Sequence, residues 1–89
     1  AILAGNDGVA FGAYQAIAER GLTVPHDISV ASFDDEELAS FQRPGLTTAR
    51  LPYDVIGRTA VEMLLGDRPL SAMLIPMPVI VRASIRHLS

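Results

Sequence analysis

Three short groups of residues in this 89-residue chain carry side chains suited to holding a small ligand: Asn6-Asp7, Asp34-Asp35 and Leu51-Pro52-Tyr53. Together they supply an amide with donors and an acceptor, a carboxylate that accepts two hydrogen bonds, and an aromatic ring. That set suits a neutral polyol such as a sugar, and it also suits a nucleobase. Asn or Asp ahead of a helix also serves as an N-cap, and one of the pair Asn6-Asp7 can do each job. Asp34-Asp35-Glu36-Glu37 is a run of four carboxylates, a composition usual in solvated loops and helix starts. Asp34, nearest the preceding strand, is the expected ligand contact, and Asp35 is expected to start a short helical turn.

The same carboxylates raise a second possibility, because hard oxygen ligands at a strand end hold Mg²⁺ in phosphoryl transfer. That chemistry also needs a nucleophile or a lysine near the phosphate, and the chain has no Lys and no Cys. Gly5-Asn6-Asp7-Gly8 lacks the further glycines and the Lys-Ser/Thr of a phosphate loop. His26 and His87 are far apart in sequence and have neither metal-pair spacing nor a base partner. No catalytic residue, metal site or cofactor is therefore expected.

The elements that must position these groups are readable from periodicity. Ala1 to Ala4 is an apolar run ended by Gly5-Asn6-Asp7, as in a short buried strand. Val9 to Arg20 repeats apolar residues at three- and four-residue spacing, with Val9, Ala13 and Ile17 on the expected core stripe and Gly21 as the stop. Phe11, Tyr14 and Ala18 lie on a second apolar side, which an upstream part of the same domain or a partner subunit would cover. Ile28 to Phe33 predicts a strand covered on both faces, Glu36 to Phe41 one helical turn, and Leu46 to Arg50 a third strand. Pro52 is suited to a first helical position, Tyr53, Ile56, Ala60, Met63 and Leu64 form the predicted buried stripe, and Gly66 closes that helix. Pro76 and Pro78 cannot donate ladder hydrogen bonds, so the last strand is placed at Val79 to Ala83.

The order strand, helix, strand, strand, helix, strand predicts an α/β fold with a mostly parallel sheet flanked by helices. In open sheets of that class, ligands sit beyond the carboxyl ends of the strands, which is where the three groups fall. Composition narrows the partners. Seven basic against ten acidic residues give a net charge of −3, the wrong sign for a surface that grips DNA phosphates. The apolar stretch Ala72 to Val81 is broken by Pro76 and Pro78 and is too short to span a bilayer, so no membrane insertion is expected. The absence of cysteine fits a cytoplasmic protein. The opening Ala1-Ile2-Leu3-Ala4 reads as a cut from something longer.

The residues also match a known series. Asn6-Asp7-Gly8-Val9-Ala10-Phe11-Gly12 resembles the Asn-Asp-x-x-Ala-x-Gly helix start of the lactose-repressor/galactose-repressor family, and Arg20 to Val30 resembles its Arg-Gly-x-x-Val-Pro-x-Asp-Ile-Ser-Val stretch. Phe33-Asp34-Asp35, Arg43 to Thr48, Gly57 with Ala60 and Leu64-Leu65, and Arg82-Ala83-Ser84 continue the match in order over essentially the whole chain. Ser32 stands where Gly is common, Gly45 where a second Pro is common, and Leu51 where Gln is frequent. The last change removes a polar group near the ligand edge.

The resemblance implies the C-terminal part of a two-lobed effector-binding domain similar to periplasmic sugar-binding proteins. It carries Asn6 and Asp34 over as effector contacts, places Tyr53 at the crossover between lobes where it lines the effector cleft, and puts the first helix in a homodimer interface with Phe11 facing the partner. Tyr14 is expected to be buried there too. Residues 1–50 and 77–89 would belong to the C-terminal lobe and 51–76 to the crossover and a helix of the N-terminal lobe. The small-molecule effector would be a sugar or a nucleoside-like compound, and operator DNA would be reached only through an N-terminal helix-turn-helix outside this segment. Two rivals accompany this reading: a periplasmic sugar-binding protein of an uptake system, and a Mg²⁺-dependent phosphotransfer domain using Asp34 and Asp35.

Overall fold

A computed structural model describes residues 1–88. Strand β1 (Ile2–Leu3) leads into helix α1 (Asp7–Glu19), followed by β2 (Val30–Asp34), a 3₁₀ turn (Glu37–Ser40), β3 (Thr47–Arg50), helix α2 (Tyr53–Leu64) and β4 (Val79–Ile80). The four strands form one sheet in sequence order, with β1, β2 and β3 parallel and β4 antiparallel to β3. The α/β class and mostly parallel sheet expected from the sequence are present.

Both helices end as their glycines predict. Gly21 and Gly66 have positive φ of 71° and 84°, so each supplies the left-handed residue that closes a helix. After α1, the N–H of Leu22 returns to the Ile17 carbonyl and that of Gly21 to Ala18; after α2, Asp67 returns to Glu62 and Gly66 to Met63.

The phase of α1 differs from its sequence reading. Its buried residues are Asp7, Ala10 and Ile17, with Phe11 and Tyr14 packed beside them against the core of Ala4, Val30, Ala39 and Leu46, while Val9 is exposed. The cause is Asp7: a buried carboxylate in the first turn fixes which side of the helix faces the sheet. Periodicity of apolar residues cannot report that. Tyr14 accordingly turns toward its own chain, and its hydroxyl donates to the Pro44 carbonyl at 2.8 Å.

The stripe of α2 also differs from expectation. Only Thr59 is buried there, while Tyr53, Ile56 and Leu64 are exposed, Leu64 at 82%. The amphipathic pattern is real, but most of the stripe is left uncovered by the described residues. Helix α2 stands outside the packed set of β1 to β4 and α1. The chain measures 54 × 26 × 18 Å with a radius of gyration of 16.4 Å, against about 12 Å for a compact domain of this length. Pro52 takes the N-cap position instead of the first helical one, which leaves α2 without a side-chain cap.

The last strand is shorter than predicted because the chain leaves β3 after Ile80 to cross the amino ends of β2 and β3. There the buried Ser84 accepts from the Thr47 N–H at 2.8 Å, donates to the Val30 carbonyl at 2.6 Å, and lends its own carbonyl to the Val30 N–H at 2.9 Å. These bonds use polar groups that a longer ladder would otherwise occupy.

Candidate functional site

Because β1, β2 and β3 are parallel, their carboxyl ends share one edge of the sheet, and each delivers a predicted residue to it. Asn6 follows β1, Asp34 is the last residue of β2, and Tyr53 opens α2 just beyond β3. An open cleft of about 520 Å³ is lined by Asn6, Phe11, Asp34, Glu36, Glu37 and Leu38 with Gly8. A neighbouring depression of about 370 Å³ is lined by Asp34, Asp35, Arg50, Leu51, Tyr53 and Asp54 with Pro52. Asp34 borders both. The structure thus brings Asn6 and Asp34 together directly, while Tyr53 reaches the site through Asp34 and through Glu36, whose carboxylate accepts the Tyr53 hydroxyl at 3.3 Å.

Asn6 caps the helix and keeps its amide donors available at the same time, where the sequence suggested a division of labour with Asp7. Its Oδ1 accepts the Val9 N–H at 2.9 Å and caps α1, which leaves the Nδ2 donors without a partner among the described residues. Asp7 is neither cap nor ligand contact. Fully buried, it accepts from the Ser32 hydroxyl, from the Thr48 hydroxyl at 2.8 Å and from the Glu36 N–H at 2.6 Å. Ser32, where relatives commonly carry Gly, therefore adds one donor to this network.

Asp34 and Asp35 have φ of 113° and 57°. Two successive non-glycine residues with positive φ cost about 1–3 kcal/mol each and persist only where neighbours over-determine them. Here the neighbours are identifiable. The Asp35 N–H donates to the Thr48 hydroxyl at 3.1 Å, the Glu36 N–H is held by Asp7, and the Asp34 carbonyl accepts the Leu51 N–H at 3.1 Å. The strained pair aims the Asp34 carboxylate, which accepts no hydrogen bond from the described residues, along the cleft edge.

The expectation that Asp35 starts the helical turn is corrected. That turn begins at Glu37 with no side-chain cap, and the Asp35 carboxylate faces the other way. Its Oδ1 accepts from Arg82 Nη2 at 2.8 Å and its Oδ2 from Arg50 Nε at 3.0 Å. Burial pushes this carboxyl upward, and the hydrogen bonds and charges of Arg82 and Arg50 outweigh that and hold it below its ordinary range. With both oxygens engaged by guanidinium groups, Asp35 is not free to join Asp34 around a cation.

The edge that remains is acidic. Asp34, Glu36, Glu37 and Asp54 line it, while the two nearby arginines are engaged by Asp35. Partial desolvation first, then the Glu36, Asp34 and Asp7 carboxylates, push the Tyr53 phenol above its ordinary value. No group of three or more His, Asp or Glu among the described residues is arranged to hold a metal ion, and no described helix is long and apolar enough to cross a membrane.

Sequence reasoning missed Asp7, the Asp35–Arg82–Arg50 cluster, and an exposed apolar pair, Leu38 on the 3₁₀ turn and Phe41 at its C-cap. Leu38 and Phe41, three residues apart and so on one side of a three-residue-per-turn helix, are 57% and 63% exposed, and Leu38 borders the cleft beside Phe11. The three-residue spacing was visible in the sequence; the 3₁₀ geometry that aligns the two was not.

Residues 1–85 match the family described as periplasmic binding protein-like domain. The lactose operon repressor of Rhizobium radiobacter is 48% identical over 64 residues, which is 72% of this chain and 57% of that protein. Among solved structures, the LacI family transcriptional regulator CCPA from Weissella paramesenteroides with bound sucrose superposes with a TM-score of 0.89 at 32% identity, covering 98% of this chain and 32% of that one. The lac repressor dimer bound to operator and the anti-inducer ONPF superposes with a TM-score of 0.85 at 36% identity, covering 93% and 30%. The chain therefore spans just over half of one of these relatives and about a third of the others.

Proposed function

This chain belongs to the lactose-repressor/galactose-repressor family, as a segment of its periplasmic-binding-protein-like domain, and from that membership we propose that it forms part of the effector site and dimer contact of a ligand-responsive transcriptional repressor. The protein binds and does not catalyse. Its effector is a neutral sugar or nucleoside, its operator contact is made through a helix-turn-helix module outside this segment, and it works in the cytoplasm.

One observation carries the reading: Asp34, unpaired, sits in a strained backbone that its neighbours fix at the carboxyl edge of a parallel sheet, beside the free amide donors of Asn6. A carboxylate so placed accepts two hydrogen bonds from adjacent hydroxyls of a sugar. The surrounding Glu36, Glu37 and Asp54 disfavour a phosphorylated or carboxylated ligand. Sucrose, bound in one relative, is a ligand of the class this edge would take.

Residues 1–50 and 77–89 are assigned to one lobe and 51–76 to the crossover and the second lobe. The elongated shape and the uncovered apolar stripe of α2 support that division, since a second lobe would cover the stripe. Effector binding then biases two lobe arrangements and changes the spacing of the DNA-reading modules.

A thermal-shift screen of the full-length protein against neutral sugars, nucleosides and sugar phosphates tests the effector class. A ligand at about 100 times its dissociation constant stabilises by roughly 2.7 kcal/mol, a shift of a few degrees for a domain of this type. A neutral sugar or nucleoside is expected to give that shift; stabilisation by sugar phosphates alone would overturn the assignment.

The homodimer is assigned to the first helix around Phe11, extended by the exposed Leu38 and Phe41; Tyr14, expected there from the sequence, is half-buried and gives its hydroxyl to Pro44 of its own chain. Phe41 is the informative position, since it is exposed in the single chain and its loss leaves the core intact. Phe41→Asp in the full-length protein is expected to give monomers in sedimentation velocity without lowering the monomer's helicity. An unchanged dimer would place the interface elsewhere.

A further inference from the structure

The outbound and return passages of the chain, on either side of α2, lie next to each other. Ala49 pairs with Val79, and the Arg50 N–H donates to the Pro78 carbonyl at 2.8 Å. Each passage contributes one arginine, Arg50 at the end of β3 and Arg82 just beyond β4, and both arginines meet on the two oxygens of Asp35. We propose that Asp35 is a positioning residue: its carboxylate latches both passages to the strained 34–35 corner, so that the aim of Asp34 and the placement of the two crossings move as one unit. The inference rests on the effector reading above for what Asp34 contacts and for what the passages connect.

The geometry separates this latch from an ordinary surface ion pair, which is worth little because water screens it. The Asp35 side chain is only 8% exposed and that of Arg82 20%. Arg82 is itself fixed at three further points. Its backbone N–H donates to the Thr47 hydroxyl at 2.8 Å, its Nη1 donates to the Leu46 carbonyl at 2.8 Å, and its side chain runs so close to Gly45 that a Cβ there would lie 3.2 Å from Arg82 Cδ. Glycine at position 45 thus leaves room for the arginine as it runs to Asp35. On the other side, the Asp35 N–H is bonded to Thr48 and the Asp34 carbonyl to Leu51. A shift of either passage is thereby transmitted to the corner that carries Asp34, and a ligand that moves Asp34 pulls on both passages.

Removing the charge of a buried group bonded to two cations leaves those cations without compensation. Amide hydrogen exchange of the full-length protein without ligand reads the consequence directly. Asp35→Asn is expected to raise exchange by roughly tenfold or more at Asp35, Glu36, Arg50, Leu51 and Arg82 together, since a hydrogen bond to a charged group is worth about 1.5–3 kcal/mol and each 1.4 kcal/mol is tenfold. The Ile2, Ala4 and Val30 amides, bonded to Ser29, Ala31 and Ser84, are expected to stay within about twofold of wild type. Arg50→Ala, at a side chain 54% exposed, supplies a second variant that keeps the core, with the rise expected at Asp35 and Leu51 but smaller. A rise spread evenly over Ile2, Ala4 and Val30 would make Asp35 a general stability residue, and no rise at Arg50 and Arg82 would remove the latch. The sugar screen addresses the effector reading separately: a full-length protein that answers to no screened ligand yet shows the joint exchange pattern would keep the latch and lose the effector.

Discussion

Asp7→Ala is expected to lower the unfolding free energy of the full-length effector domain by about 3–5 kcal/mol, because it takes the shared acceptor away from three hydrogen-bond donors, two of them buried. The magnitude follows from what the side chain holds. Asp7 is the fully buried acceptor for the Ser32 and Thr48 hydroxyls and the Glu36 N–H, and truncation leaves two interior hydroxyls and one part-buried N–H without that partner, with about 1–3 kcal/mol of desolvation for each interior donor before relaxation. It also opens a space under the first turn of α1. Asp7→Asn is expected to be milder, because one carbonyl oxygen still serves the two hydroxyls, but its NH₂ would face the Glu36 N–H donor to donor. Asn6→Ala gives the scale: loss of an exposed N-cap costs about 1 kcal/mol. Calorimetric melting of the three variants checks the expected order, with Asp7→Ala the most destabilised, Asp7→Asn next and Asn6→Ala the least. A melting temperature for Asp7→Ala within about a degree of wild type would mean that the network is not what sets the phase of α1, since a loss of 1 kcal/mol alone shifts melting by roughly 2–8 °C in domains of ordinary size.

The prominence of Asp7 shows where reading the sequence alone stops. Helix ends and strand positions were legible because they depend on local signals: Gly21 and Gly66 end helices through backbone freedom at one residue, and the apolar run around Val30 marks a strand, although only Val30 and Ser32 are buried there and Phe33 is exposed. The site edge was legible for the same reason, since the position of Asp34 after a parallel strand is a matter of chain order. The direction each acidic side chain faces was not. Asp7 and Asp34 both sit beside a second acidic or amide residue, and only long-range partners separate them: Thr48, 41 positions away, draws Asp7 inward, and Arg82, 47 positions away, draws Asp35 away from Asp34. The stripe of α2 failed differently. Its periodicity correctly marked an apolar face, but no described element covers that face, and periodicity carries no information about what lies against it.

Asp34→Ala is expected to weaken effector binding by roughly 10- to 100-fold, since a hydrogen bond from a ligand hydroxyl to a charged acceptor is worth about 1.5–3 kcal/mol and each 1.4 kcal/mol is tenfold. Stability is expected to change little. The carboxylate makes no bond to the described residues, and the positive φ of the backbone beneath it is a cost that the fold carries for the site's geometry. Asp34→Gly sharpens the point, because glycine accepts that backbone without strain, so this variant is expected to be the more stable of the two and equally weak in binding. The surrounding charge is controlled by Glu37→Gln, which removes one carboxylate from the same cleft without touching Asp34. If Asp34 acts as a directed acceptor, Glu37→Gln binds within about twofold of wild type; if the cleft works only through its overall negative potential, the two variants lose similar affinity. Titration calorimetry with the neutral ligand that gives the largest thermal shift distinguishes these cases. Wild-type affinity in Asp34→Ala would remove the contact that the parallel sheet, the strained corner and the family resemblance all assign to this side chain, and would leave the acidic run as a solvated loop.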